Sequence, residues 1–344
     1  MSVAAATVVV CAYTLDRWTD LVASVRSAAA QVRDQDELVL VVDHNPDLLA
    51  RAEAELVPQV PRLVVRPNER KRGLSGARNT ALEHARGDVV VFLDDDASAT
   101  PGWLAQLLEP YADPAVLGVG GAARPIWPDG HDRPGTLPEG AAGRGVLDWV
   151  VGCTYDGQPT VPADVRNLMG CNMSMRTAEA IAAGGFSEDL GRVGRTPLGC
   201  EETELCIRMA GVTPGGRFVF VPTALVEHHV SLDRLRWRYL LRRGYAEGLS
   251  KATVAGQVGQ DRALATERGY AARVLPRAVL TGVAGAVRGP RRATSAEGAV
   301  AVVACLAATA GGYARGRVAA ATGRAPRLGS PTAGPLAPAA PSGA

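Results

Sequence analysis

Three carboxylates in a row, Asp94, Asp95 and Asp96, close the apolar run at 89–93. Like charges at this spacing repel, and burial penalises each of them, so a cation is expected beside them. Around a tight bend the alternate residues Asp94 and Asp96 can point into one cleft. Magnesium and manganese take oxygen ligands and bind one or two carboxylates together with phosphate oxygens. An Asp-x-Asp at a strand end therefore suggests a metal holding a diphosphate. The same residues also read as a solvated acidic loop, or as caps for a helix that starts near residue 101.

Two further stretches bear on this chemistry. NERKRGLSGARN (68–79) brings glycines and cations to the start of a helix. Such a loop can approach a phosphate and soften its charge through Arg72 or Arg78. It lacks the Gly-Lys-Ser/Thr of a P-loop, and Gly73 and Gly76 also fit plain loop flexibility. GCEETELCIRMAGV (199–212) puts Glu201, Glu202 and Glu204 in the first turn of a helix. Acids there suit the helix dipole; their apolar neighbours also suggest buried carboxylates with perturbed titration.

The elements that must position these groups alternate. Continuous apolar runs at 6–13, 37–45, 62–68 and 88–96 read as strands buried on both faces. Helical spacing marks 17–32, 48–56 and 73–85. Repeated units of this length predict an α/β fold: a Rossmann-like, mainly parallel sheet with helices on both faces. Ligands bind such sheets at the carboxyl ends of the strands, where Asp43 and the Asp94 to Asp96 run both fall. Beyond residue 101 the pattern predicts a helix, a strand at 115–127, and an irregular, Gly- and Pro-rich stretch at 128–165 that can lie over the site. A strand entering a helix at 167–186, the helix at 199–212 and a strand with a loop at 217–230 follow, and then Arg-rich helical segments.

Composition excludes some classes. Net charge is +2 over 344 residues and aromatics are 5% of the chain, so nucleic acid is not an expected partner. None of the six cysteines forms a C-x-x-C pair, which fits reduced, mostly buried thiols; Cys200 and Cys206 offer too few ligands for structural zinc. The N-terminal stretch lacks the basic start of a signal peptide, and a cytoplasmic location is expected. GAVAVVACLAATAGGY (298–313) is apolar for 16 residues, short of the ~20 that span a bilayer. It reads as a buried helix, or as one lying on a membrane beside the arginines of RGPRR (288–292). The Pro- and Ala-rich end of the chain is expected to be disordered.

The order VVVCAYTLDRW, VVDHN, GLSGARNTALEHARGDVVVFLDDD, GCNMSMR and GCEETELCIR resembles the family 2 glycosyltransferases of the inverting GT-A type over most of 6–230. The later run HHVSLDRLRWRYLLRRGYAEGLSKA is similar to members that act on lipid-linked or related acceptors. The resemblance implies a metal-dependent transfer of a sugar from a nucleotide diphosphate donor, UDP-linked by expectation, to a hydroxyl acceptor such as a lipid-linked or cell-envelope glycan. The chain then divides into 1–230 (nucleotide-sugar half 1–100, acceptor half 101–230), a helical, Arg-rich extension at 231–320 that can touch the inner face of the membrane, and a tail at 321–344.

The same resemblance assigns roles. Ala12, Tyr13, Thr14 and Asp43 would hold base and ribose, with Arg72 and Arg78 near the phosphates. Asp94, Asp95 and Asp96 would serve the sugar diphosphate, with Mn2+ or Mg2+ on Asp94, Asp96 and His228; His229 is the competing choice. Glu202 would be the general base and Glu201 a contact to acceptor or sugar. Here the second acid is Glu202 where the family more often has Asp, so its reach is one methylene longer. Arg242 or Arg243, in the cluster that begins at Arg234, could reach the diphosphate. Competing readings are a haloacid-dehalogenase-like phosphatase, a nucleotidyltransferase, and a non-catalytic sugar-nucleotide binder. The first places its Asp-x-Asp on the first strand, the second wants an N-terminal glycine loop with lysine, and the third has no need of intact acids.

Overall fold

In the computed structural model, described for residues 4–140, 143–192 and 198–322, the first four strands form as the apolar runs predict. They are β1 (Ala6–Ala12), β2 (Glu37–Val42), β3 (Leu63–Pro67) and β4 (Val89–Asp94), parallel in the order β3-β2-β1-β4. Alternation explains why each run is apolar throughout. Val8 and Val10 of β1 pack into one core with Leu21 and Val25, while Val9 points to the other with Ala77 and Phe92. The helices are α1 (Trp18–Ala29), α2 (Pro46–Glu55) and α3 (Leu74–His84). Asn45 starts α2 by accepting from Leu48 N at 3.0 Å, with Pro46 in the first turn.

The second half joins the same sheet with mixed polarity. After β5 (Ala97–Ala99) and α4 (Trp103–Leu108) come β6 (Val116–Ile126), β7 (Ala163–Val165), β8 (Asn172–Arg176), α5 (Thr177–Ala182), α6 (Glu201–Val212) and β9 (Arg217–His229). β8 inserts antiparallel between β4 and β6, β9 runs parallel to β6, and β5 and β7 pair antiparallel to β9. The cap of α4 is Gly102 with no side-chain bond, so the acidic run does not cap that helix. The register of β6 and β9 shifts between Gly121 and Ala122. Asn172 fills the shift: its Nδ2 donates to Ala122 O and Ala224 O, and its Oδ1 accepts from Trp103 Nε1. A Cβ on Gly121 would fall 2.0 Å from Ala224 O, so glycine is required there. Among the described residues, the 128–165 stretch contains β7, a 3-10 turn at Asp148–Val151 and an isolated bridge between Glu139 and Gly145.

Three helices end the described chain: α7 (Trp237–Val258), α8 (Gln260–Arg288) and α9 (Arg292–Ala321). The positions at which α7 and α9 meet, Gly244 on Cys305, Gly248 on Thr309 and Ala252 on Gly316, rise together, so these helices run parallel with α8 returning between them. The apolar 298–313 stretch is buried along one face and exposed along another. Ala301, Val302 and Cys305 are buried, whereas Val300, Val303 and Leu306 are exposed. By length and composition α9 could cross a membrane, yet one face of it is packed on protein. Of the tail expected at 321–344, Ala321 still belongs to α9, and the residues from 323 onward lie outside the described residues. All six cysteines are free, and only Cys11 is not fully buried.

Candidate active site

The carboxyl ends of β1, β2 and β4 open on a cleft of about 720 Å³. Asp94 is the last residue of β4, and Asp95 and Asp96 make the turn into β5. β5 pairs Ala97 with His228 of β9, and His229 N donates to Asp96 O at 2.8 Å. Alternation along β9 then sends the two histidines opposite ways. His228 Nε2 lies 3.2 Å from Asp96 Oδ1, while His229 Nδ1 pairs with Asp20 Oδ1 at 2.8 Å. Asp94, Asp96 and His228 each bring a ligand atom within 4.8 Å of the others.

The cations beside the acidic run are guanidinium groups. Arg17 Nη1 donates to Asp95 Oδ1 (2.7 Å) and Asp96 Oδ2 (2.9 Å), and Arg234 Nη2 to Asp96 Oδ2 (2.8 Å). The two neighbouring acids titrate in opposite senses. Burial, only partly offset by Arg17 and worsened by Asp96, pushes Asp95 up to about 7. Burial would raise Asp96 too, but His228, Arg234 and Arg17 together hold it below the usual carboxylate range. Burial keeps His228 neutral-prone, with a lone pair to offer. Among the described residues no group hydrogen-bonds Asp95 Oδ2 or His228 Nδ1. Two carboxylates and one imidazole are a donor set that suits Mn2+ or Mg2+.

Asp43 follows β2 and is held by protein. It accepts from Gly73 N (3.0 Å) and Asn68 Nδ2 (2.6 Å), so the glycine loop closes around a carboxylate. Gly73 has φ 129°, and a Cβ on Gly76 would meet Lys71 O at 1.9 Å, so both glycines answer a local need. Ala12, Tyr13 and Asp43 line the cleft; Tyr13, Asp43 and Arg72 also line a smaller hollow beside it. Thr14 lines neither, its hydroxyl accepting from Asp16 N in the turn before α1.

α6 delivers the two glutamates. Cys200, at its N-terminus, is left-handed with φ 69°, a strained start for a non-glycine residue. Glu201 is buried and its Oε1 pairs with Arg78 Nη1 at 2.8 Å. Arg78, 1% exposed, also donates to Gly170 O (2.8 Å) and reaches Asp94 Oδ1 (3.4 Å). Glu202 faces the cleft, and burial followed by repulsion from Glu201 raises its carboxyl to about 8. One cleft thus holds Asp43, Arg78, Asp94, Asp96, Glu202 and His228.

Several groups of the site lie outside the motifs marked in the sequence. Arg17 sits in an unremarkable turn, and its pairing spans 78 residues, so no local signal marks it. Within the Arg cluster it is Arg234 that reaches Asp96; Arg243 lines the cleft and pairs with Glu247, while Arg242 is exposed. Glu247, Lys251 and Glu267 form a cleft-lining network with Arg166. The i,i+4 spacing of Glu247 and Lys251 was its available signal.

Residues 7–178 match the family model described as Glycosyl transferase family 2. The chain is 32% identical over 245 residues to a glucosyl-dolichyl phosphate glucuronosyltransferase of Haloferax volcanii, covering 71% of this chain and 75% of that one. It is 29% identical over 250 residues to the succinoglycan biosynthesis protein ExoM of Rhizobium meliloti, covering 70% and 71%. Its fold matches that of a Pyrobaculum calidifontis mannosyltransferase solved with GDP-Man and Mn2+ (TM-score 0.52, 20% identity, 90% and 88% covered). With that match and those relatives, the chain belongs to glycosyl transferase family 2, and it is a glycosyltransferase of GT-A-like fold.

Proposed function

We propose that this glycosyltransferase inverts the anomeric carbon of a nucleotide-diphosphate sugar, UDP-linked by preference, with a divalent cation held by Asp94, Asp96 and His228. The observation that carries the reading is the convergence of those three ligand atoms within 4.8 Å in the cleft that also holds Glu202. A cation bound there supplies Lewis-acid stabilisation of the charge on the departing diphosphate. Ala12, Tyr13 and Asp43 bind base and ribose. Arg17 and Arg234 hold Asp96 by its Oδ2, leaving Oδ1 turned toward His228. Glu202 takes the proton of the attacking acceptor hydroxyl, and no covalent intermediate is needed. Arg78 orients Glu201 and Asp94 from beneath.

The acceptor in this reading is lipid-linked, and the enzyme works at the cytoplasmic face of the membrane. Two observations support it: the dolichyl phosphate in the Haloferax relative's name, and the exposure of Leu280, Val283 and Val287 on α8 and of Val300 and Val303 on α9. The domain division follows, with 1–230 as the transferase unit and α7–α9 as the acceptor-side extension.

Calorimetric titration of UDP into wild type and Asp96→Asn, with and without Mn2+, tests the donor site. Metal-dependent binding lost in the variant is the expected result. Binding of GDP in place of UDP changes the base assignment alone. Binding of no nucleoside diphosphate to folded wild type overturns the reading.

A further inference from the structure

The cleft does not end at Glu202. It continues between the C-terminal helices, where charge gives way to hydrocarbon. Arg243, Glu247 and Lys251 line it from α7, and Leu275, Val302 and Leu306 from α8 and α9. Leu306 has two roles at once: it lines the cleft and it is 46% exposed. It therefore marks where the cleft reaches the surface. The surface it reaches is the apolar one, one helical turn from Val303 and two from Val300 along α9.

The stretch of chain that carries that surface is one-sided in charge. Residues 270–322 contain seven arginines and a single acid, Glu297. Glu297 is directed to the protein, accepting from Trp237 Nε1 at 3.1 Å, while Arg273, Arg277, Arg288, Arg291 and Arg315 are exposed. An exposed apolar face on an arginine-rich stretch fits an anionic bilayer. It fits a second copy of this chain poorly, because a symmetric pairing would set arginine against arginine.

We infer that the α7–α9 end of the cleft holds the hydrocarbon chain of a lipid-linked acceptor, with the polar headgroup at Arg243 and Lys251 and the chain leaving past Leu306 to the membrane. The inference rests on the transferase reading above and names its acceptor class: an anionic headgroup on a long apolar chain. The helix pair is then a selector for chain length as well as an anchor. A short-chain molecule with the same headgroup fills only the charged part of the cleft.

Farnesyl phosphate and isopentenyl phosphate share a headgroup and differ in chain length, so their binding to the full chain tests this. Wild type is expected to hold farnesyl phosphate about tenfold tighter or more, since each added buried methylene contributes. Leu306→Arg should abolish that preference, and Val318→Arg, exposed and outside the cleft lining, should keep it. Equal affinities in wild type, or a preference that survives Leu306→Arg, overturns the inference. A wild-type dimer that Leu306→Arg splits, with no chain preference, assigns the face to a second copy and overturns it too. UDP titration with Mn2+ on the same preparations separates the failures: intact UDP binding without chain preference sinks the channel alone, and loss of both sinks the donor reading.

Discussion

His228 faces Asp96 because it pairs with Ala97 across β5 and β9, which sets its Nε2 3.2 Å from Asp96 Oδ1. The neighbouring His229 is turned by the same alternation to Asp20. The two adjacent histidines should therefore differ sharply. His228→Ala is expected to weaken Mn2+-dependent UDP binding by about tenfold or more, the scale on which metal sites respond even to outer partners. His229→Ala should stay within about twofold. Calorimetry on both variants decides this, and equal losses would mean that neither histidine is a ligand.

Glu202 carries a pH signature. Burial and then Glu201 raise its carboxyl to about 8, and a general base works only when ionised. The rate should climb with pH and level off above about 8. Glu202→Gln should lower kcat by about 10²–10⁴-fold, leave UDP affinity unchanged and remove the rising limb. Stability should move the other way. A carboxyl whose pKa is raised on folding binds its proton more tightly in the native state, so the native state loses stability as pH rises from the ordinary value of 4.5 toward about 8. Glutamine has no such loss, and the variant should melt higher than wild type at pH near 8. A lower melting temperature together with an unchanged pH profile would remove Glu202 from the base role.

Arg78 ties the two acidic groups together from below. It is 1% exposed and pairs with Glu201 Oε1 at 2.8 Å, while Glu201 Oε2 has no hydrogen bond among the described residues. Arg78→Ala leaves Glu201 buried without its cation and should cost about 3–5 kcal/mol in urea unfolding. Adding Glu201→Gln should recover part of that loss, because a neutral amide is less costly to bury. Additive losses in the double variant would show that the pair is uncoupled.

The strands were readable because both faces of β1, β2 and β4 are buried, which makes their runs apolar without alternation. The acids at their ends were readable for the converse reason: charge at the end of such a run demands a partner. The partner itself was not readable. A metal is what the Asp-x-Asp suggests, yet Arg17 and Arg234 also stand there, brought by loops 78 and 138 residues away. Pairings at that separation leave no local period in the sequence. Position along β9 was likewise hidden, since the choice between His228 and His229 depends on a register set by three-residue β5. The C-terminal helices show the limit of composition: Ala- and Gly-rich apolar sequence serves a buried contact on one face of α9 and an exposed one on the other.

The small residues of α7 and α9 set how closely these helices approach, and so the width of the cleft beside them. A Cβ on Gly248 would lie 2.0 Å from Thr309 O, and one on Gly312 would lie 2.0 Å from Tyr245 O. In both cases the obstacle is backbone, which cannot swing aside as a side chain can. Gly248→Ala removes a helix-breaking residue and would, in an isolated helix, stabilise by up to about 1 kcal/mol. Here overpacking should win, with a net loss of about 1–3 kcal/mol and helices forced apart. Gly256→Ala is the control on the same helix, because nothing lies within 4 Å of its would-be Cβ. Thermal unfolding should show Gly248→Ala melting below wild type and Gly256→Ala at or above it. Since Gly248 and Thr309 both line the cleft, separation there should also loosen acceptor binding while UDP affinity holds. A Gly248→Ala protein as stable as wild type would show that the two helices are not in backbone contact.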